Sequence, residues 1–452
     1  MTIKKPESII FIVKNQSAKL RAWVVTANMG LGHLRAAHPL LPIAEDGLLT
    51  VGYDADTTKK EAKMWKRLQS GYEFLSRVRM LPLIGKTLFK ILDTLLYIPP
   101  LYPIRDLSNP SFQVSLVKSF IRRGLCSAML EKIKKNPLPM VTSFYAPAIA
   151  ADEAGYSRIY CIITDTDANR AWVSSNPRQS RINYFVPCGS VLRRMRSYGI
   201  PDSRLFLTGF PLPLELTGHD NLDVLKYDAA RRLKILDPGK RFWPLHGRSV
   251  FHFLGKSNCA AKISRKFTIT FAVGGAGAQT DTAEKLLLSL AERLKKNEII
   301  LNLVAGIRKN VFDHFINLKN QIAPNGAVNI IYGKTHDEYF RAFNGILHFT
   351  DVLWTKPSEL CFYCGLGLPI IMTEPIGSQE DYNRRWLQEM QAGIDQYDPR
   401  YTAEWLFDLL YEGRLATAAW EGFLKARKFG TYKIFEVLRT GTMQREFSPL
   451  KR

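Results

Sequence analysis

The 452-residue sequence predicts an α/β chain of two domains, each built on a parallel sheet with helices on its faces. Three observations lead there. Apolar runs of strand length alternate with stretches of helical periodicity along both halves. Two of those runs, RAWVVT from Arg21 and KFTITFAV from Lys266, pass straight into glycine-rich turns that open helical patterns. The length also exceeds what one ordinary core organises, which implies two domains of about 150 to 250 residues.

In the first half, Arg21 to Thr26 reads as a strand, NMGLGH as a sharp turn, and LRAAHPLLPIAE as the start of a helix. MVTSF from Met140 and IYCIIT from Ile159 look like buried parallel strands. NYFVP from Asn183 is another, placed before the helical SVLRRMRSYG, and RLFLTGFPLP closes the series. The N-terminal domain is therefore assigned to 1–215, with a basic and apolar insertion at 59–101. Residues 216–265 read as a basic interdomain segment or insertion. A second series fills 266–430: strand and glycine turn, the helix TAEKLLLSLAERLKK, then the strands IILNLVAG, VNIIYGK, GILHFTDVLWTK and LPIIMTE. Helical patterns return from Thr402 to about Leu438; residues 431–452 form a C-terminal helix and tail, and one of these helices can cross back onto the first domain.

Composition narrows the function. Hydrophobic residues make up 46% of the chain, and 30 Gly with 24 Pro are near ordinary usage, which excludes a disordered or collagen-like chain. With 63 Lys+Arg against 41 Asp+Glu the formal charge is +22. Such a field attracts nucleic acid, anionic lipid and phosphorylated small molecules alike. No reader motif accompanies it, so no specific nucleic-acid partner is expected. Much of the excess lies in two segments. Lys59 to Lys90 holds nine Lys/Arg and two Glu, while Ala229 to Lys266 holds ten Lys/Arg and one Asp, together with Phe242, Trp243, Phe251 and Phe253.

Six scattered cysteines point to a reducing compartment. Cys361 and Cys364 form a C-x-x-C without two further nearby ligands, and read as buried helix cysteines rather than a zinc site. Residues 1–20 lack a signal-peptide pattern. The apolar stretch Leu81 to Leu101 contains Lys86, Lys90, Asp93 and the Pro99-Pro100 pair, which argue against a spanning helix. As a helix it gathers Ile84, Leu88, Ile91, Leu92 and Leu95 on one face. That face suits either a membrane interface or the interior of the N-terminal domain.

Chemistry concentrates at the turns. Gly30-Leu31-Gly32-His33 lets backbone approach a ligand, with a helix N-terminus behind it. His33 can take a proton from a hydroxyl nucleophile near neutral pH, or serve as a hydrogen-bonding cap; His38 reads as structural. Gly274-Gly275-Ala276-Gly277-Ala278-Gln279 can surround a diphosphate with backbone donors, or be a tight turn alone. It lacks the ending of a P-loop. Further on, Ser358 can cap a helix and Glu359 can accept from a ribose or simply charge the helix start. Ser378, Gln379, Glu380 and Asp381 follow the strand LPIIMTE and suit a hydroxyl-rich ligand.

Taken in order, NMGLGHLRAA (28–37), TDTD (164–167), FVPCGSVLRRMRSYGIPDSRLFLTGFP (185–211), VGGAGAQ (273–279) and the block Ser358 to Asn383 resemble the GT-B glycosyltransferases related to monogalactosyldiacylglycerol synthases and to the N-acetylglucosaminyltransferase of the peptidoglycan lipid precursor. The resemblance covers nearly the whole chain. It implies two Rossmann-like domains facing a central cleft, and inverting transfer of a sugar from a nucleotide-activated donor, commonly UDP-linked. No tightly bound cofactor and no metal are implied. By that resemblance His33 is the base for the acceptor hydroxyl, with Asp167 as a further catalytic candidate and Gly32, Asp165 and Trp172 on the acceptor side. Gly275, Ala276 and Gly277 face the diphosphate, Glu359 the ribose, and Gln379 and Glu380 the donor sugar, with Gly274 and Ser358 as further donor-binding candidates. Asp165 and Asp167 can equally cap their loop, and Trp172 can be core.

Asn28-Met29 and Lys356-Pro357-Ser358 depart from the more glycine-rich family pattern, and Pro357 removes a backbone donor near the nucleotide. The resemblance implies a lipid acceptor such as diacylglycerol, and charge with apolar surface favours reaching it at the cytoplasmic face of an anionic membrane. The competing readings are a soluble acceptor, or a non-catalytic nucleotide-sugar or lipid-binding protein.

Overall fold

The computed structural model describes residues 20–78, 97–274, 279–375 and 377–446. They form two six-stranded sheets, parallel throughout, with helices around them. This is the two-domain α/β class that the GT-B resemblance implies.

The first sheet is ordered β2-β1-β3-β4-β5-β6. Its strands are β1 (Ala22–Ala27), β2 (Ala44–Val51), β3 (Met140–Thr142), β4 (Ile159–Ile162), β5 (Ile182–Phe185) and β6 (Leu205–Phe206). All six residues of β1 are buried, as a central parallel strand covered on both faces requires. Helix α1 (Leu31–Ala37) follows β1, α2 (Lys59–Val78) follows β2, and α3 (Phe112–Arg122) and α4 (Ser127–Lys135) lead to β3. Helix α5 (Tyr145–Glu153) follows β3 and α6 (Gly189–Ser197) follows β5. The expected helix from Leu34 to Glu45 stops early. Pro39 and Pro42 lack the N–H groups an α-helix needs, so a 3₁₀ stretch spans His38–Ile43 and the chain re-enters the sheet as β2. Among the described residues strand β2 pairs only with β1, and it is partly exposed, which accounts for its polar AEDG half.

The second sheet is ordered β12-β11-β10-β7-β8-β9. The strands are β7 (Phe267–Ala272), β8 (Ile299–Gly306), β9 (Val328–Tyr332), β10 (Val352–Thr355), β11 (Ile370–Met372) and β12 (Gly393–Asp395). Of GILHFTDVLWTK only the last part is strand; Gly345 to Leu347 close a helix. The segment before β7 is helical: α7 (Leu214–Thr217), α8 (Asp223–Ile235), α9 (Trp243–Leu254) and α10 (Lys256–Ala260). Helices α11 (Thr280–Lys295), α12 (Lys309–Ile322), α13 (His336–Leu347), α14 (Ser378–Glu389), α15 (Thr402–Tyr411), α16 (Arg414–Lys425) and α17 (Gly430–Thr440) complete the order.

Two compact units result. One comprises residues 1–213, 376–382 and 427–452, the other 214–375 and 383–426. The basic helices α8 to α10 thus belong to the second unit, and α17 to the first. Arg232 on α8 shows how the basic segment is held. Its guanidinium is fully buried and donates to the carbonyls of Thr350 (2.7 Å), Leu366 (2.8 Å) and Leu347 (3.1 Å). Burial lowers it to about 10. Nearby, Asp351 pairs with Arg265 at 2.6 Å and accepts the Thr268 N–H at 2.9 Å, tying the starts of β7 and β10.

All six cysteines are buried thiols; Cys361 and Cys364 lie in a 3₁₀ helix, Glu359–Leu366. No described helix is long and apolar enough to cross a membrane. Most of the stretch from Leu81 to Leu101 lies outside the described residues.

Candidate functional site

In an open parallel sheet, ligands bind beyond the carboxyl ends of the strands, where the strand order reverses. The first sheet reverses between β1 and β3. The chain leaves β1 through Gly30, whose φ of 121° and ψ of 159° suit glycine, and enters α1 carrying Gly32 and His33. It leaves β3 through Ser143 and Phe144. These two exits meet at His33, whose Nδ1 lies 2.7 Å from the Ser143 carbonyl oxygen. A carbonyl only accepts, so Nδ1 carries the proton and Nε2 is the basic nitrogen of the neutral ring.

The surroundings hold this arrangement. Thr142 Oγ1 accepts the Phe144 N–H at 3.1 Å, and Ser143 Oγ donates to Thr26 Oγ1 at 2.9 Å. Phe144 meets the imidazole edge-on at 4.9 Å between centroids, and Trp172 stands 6.1 Å away. Trp172 is buried and packs edge-on against Tyr145 at 5.5 Å, so it is a wall beside His33 rather than an open stacking platform. Ser143, Phe144 and Tyr145 were not singled out from sequence, although their position just beyond a predicted strand was a usable signal.

The two aspartates of TDTD part company. Asp165 is half-buried in the loop that leaves β4. Asp167 is 2% exposed and bonded through both oxygens to Arg194 at 2.8 and 2.9 Å, with the Ala168 N–H adding a third bond. Burial raises the Asp167 carboxyl, while these three donors oppose the rise; Arg194, bonded in return, is held above its ordinary range. These bonds fit the loop-capping alternative for Asp167. Paired with a buried guanidinium, the carboxylate braces the loop.

The second sheet reverses between β7 and β10. Gly274 follows β7; Gly275, Ala276 and Gly277 lie outside the described residues. Gln279, at the far end of that turn, accepts the Gly274 N–H at 3.1 Å and donates from Nε2 to Thr373 Oγ1 at 2.5 Å. One buried amide thus ties the exits of β7 and β11. Lys356, leaving β10, lies across Gly274: a Cβ there would stand 2.8 Å from its Cδ and Cε. Neither Gln279 nor Lys356 had been given a role from sequence.

Ser358 occupies the cap position of the 3₁₀ helix, but its hydroxyl makes no cap bond. The tight first turn is closed by backbone instead, the Cys361 N–H donating to the Ser358 carbonyl at 2.9 Å. Glu359 follows, 8% exposed. Asn383 donates to the Pro357 carbonyl at 3.2 Å, anchoring the residue that departs from the family pattern. Gln379 and Glu380 are half-buried in the first turn of α14, among the residues that cluster with the first unit.

No family model matches the chain, and no curated protein matches it. Among solved structures it is similar to the S. aureus MnaA structure with UDP, at 12% identity and a TM-score of 0.49, covering 95% of this chain and 100% of that one. It is also similar to the Neisseria meningitidis UDP-GlcNAc 2-epimerase bound to UDP-GlcNAc (12%, TM-score 0.46, 93% and 98% covered) and to Acinetobacter baumannii MurG (12%, TM-score 0.46, 93% and 99% covered). The likeness is one of architecture. It assigns no residue a role.

Proposed function

We propose that the chain is an inverting glycosyltransferase that moves a sugar from a nucleotide-activated donor, UDP-linked by preference, to the hydroxyl of a lipid such as diacylglycerol at the cytoplasmic face of an anionic membrane. The observation that carries this reading is His33 at the switch point of the first sheet, its Nδ1 held by the Ser143 carbonyl. In that tautomer Nε2 accepts the acceptor's proton as its oxygen attacks the anomeric carbon. The bond from that carbon to the diphosphate oxygen breaks, and a single displacement inverts the centre.

We assign the donor to the exits of the second sheet. Gly274, Gly275, Ala276 and Gly277 are offered to the departing diphosphate together with the N-terminus of α11, and Lys356 adds a cation beside Gly274. Glu359 is offered to the ribose, with Ser358 beside it. Gln379 and Glu380 are offered to the sugar, and Asp165 to the acceptor. The nucleotide-sugar is a co-substrate, and no metal is assigned a step.

The test is a panel of nucleotide-sugars supplied with diacylglycerol vesicles, followed by product mass analysis. Transfer to lipid is expected, and His33→Ala should cut turnover about 100-fold or more while donor binding stays within about twofold. Unchanged turnover removes His33 as the base. Transfer only to a water-soluble acceptor defeats the lipid assignment, and donor binding with neither transfer nor hydrolysis makes the chain a binding protein.

A further inference from the structure

The basic segment ahead of β7 has no part in the reaction proposed above, yet it has the most polarised composition in the chain. Between Asp237 and Asp281 there is no Asp or Glu, while residues 238–266 carry seven Lys/Arg. Helix α9 lies inside this acid-free run. Its inner face is apolar: Val250 and Leu254 are buried, as is Phe242 at its cap, and Phe253 packs against Trp420 at 6.2 Å.

The outer face is unusual. Arg241, Pro244, Leu245, Arg248, Phe251 and His252 recur every three to four residues and are all exposed. Leu245 is 80% exposed, the highest among the exposed large apolar residues described, and Phe251 is 40% exposed with its ring 5.8 Å from that of Trp243. Apolar tips alternate with arginines along one ridge, and Lys240 and Lys256 flank it, both exposed.

From this juxtaposition we propose that the outer face of α9 is a docking surface for an anionic lipid bilayer. Leu245, Phe251 and the half-buried Trp243 enter the headgroup boundary, while Arg241 and Arg248 pair with lipid phosphates. The helix itself carries no acid to repel the anionic plane, and its one neighbouring carboxylate in sequence, Asp237, is buried as the cap of its first turn. Long arginine stems let the charges reach headgroups while their neighbours insert. An acidic protein partner would be matched by the charge but would leave the protruding Leu245 without a function. The surface belongs to the second unit and is a different segment of sequence from the 81–101 stretch, which suits a membrane interface or a domain interior alike. The inference shares the bilayer with the functional reading but does not depend on glycosyl transfer.

Co-sedimentation of the full chain with phosphatidylcholine vesicles, with and without phosphatidylglycerol, tests it. Binding to the anionic vesicles is expected, weakening with salt. Leu245→Glu alone should reduce partitioning about tenfold, and Leu245→Glu with Phe251→Glu by more. Arg241→Gln and Arg248→Gln should each cost about fivefold. An unchanged melting temperature shows that these surface variants fold, and Leu245→Glu should keep wild-type transfer to a detergent-dispersed acceptor. If the wild type binds anionic vesicles and the Leu245 and Phe251 variants bind equally well, α9 is not the surface, and membrane binding by another region stands. If the wild type binds no vesicle, the inference and the membrane part of the functional reading both fall. A concentration-dependent dimer dissolved by Leu245→Glu, without vesicle binding, assigns the face to a second copy of the chain and overturns the proposal.

Discussion

Single residues carry much of the chemistry, and two allow sharp tests. At Gly274 a methyl group would press on the flexible stem of Lys356 rather than on backbone. Gly274→Ala should therefore fold normally while moving the lysine. Calorimetry with UDP and with uridine separates the effects: UDP affinity is expected to fall about tenfold through the displaced charge, and uridine affinity to stay unchanged. An equal loss for both ligands would mean general distortion and would remove Lys356 from the donor half. Asp54, in the turn after β2, tests an electrostatic cost. Burial pushes its carboxyl up to about 6, Asp56 and Glu61 add to the rise, and a Thr50 hydrogen bond and Lys132 oppose it. The folded protein holds this proton more tightly than the unfolded chain. The associated stability is therefore present below the unfolded value near 3.8 and is lost as pH rises through about 6. Asp54→Asn should stabilise by about 1 kcal/mol near neutral pH, after allowing for partial solvent screening, and by almost nothing in acid. A stabilisation that does not depend on pH would sink this account.

At the scale of elements, the sequence was most readable where periodicity and burial coincide. The central strands β1, β3, β4, β7 and β8 are buried on both faces, and each stands out as an apolar run. Strand β2 does not, because an edge strand beside solvent tolerates Ala44, Glu45, Asp46 and Gly47. The glycine turns and His33 were legible as motifs. Their supports were not: the Ser143 carbonyl is backbone, and Gln279 joins strands far apart in sequence. Charge counting also misled in one respect, since it treats every arginine as surface. Arg232 is counted in the basic segment yet lies fully buried against four carbonyls. It fastens α8 to the end of α13 and to the 3₁₀ helix after β10. Arg232→Leu strands those acceptors and should destabilise by about 3 to 5 kcal/mol in denaturant titration. Arg232→Lys should recover only a minor part, because one ammonium cannot span the same acceptors. Full recovery by lysine would show that charge alone matters there.

The whole molecule consists of two units with separate cores, and the C-terminal residues 427–452 return to the first. That return depends on close backbone approach. A Cβ on Gly430 would stand 2.0 Å from the Phe210 carbonyl oxygen and 2.5 Å from its carbon, and Thr431 Oγ1 donates to the Leu212 carbonyl at 2.6 Å. Backbone cannot move aside as a lysine stem can, so Gly430→Val must push α17 off its seat. Hydrogen exchange read by mass spectrometry should then accelerate in peptides covering 205–213 and 427–440, with β7 to β12 unchanged. Arg232→Leu should show the converse pattern, faster exchange around α8, α13 and β10 with α17 unaffected. The two changes share no partner, so their effects should add within about 0.5 kcal/mol in the double variant. If Gly430→Val instead accelerates exchange evenly across both sheets, the units do not hold separate cores, and α17 contributes to the stability of the entire chain rather than to one half of it.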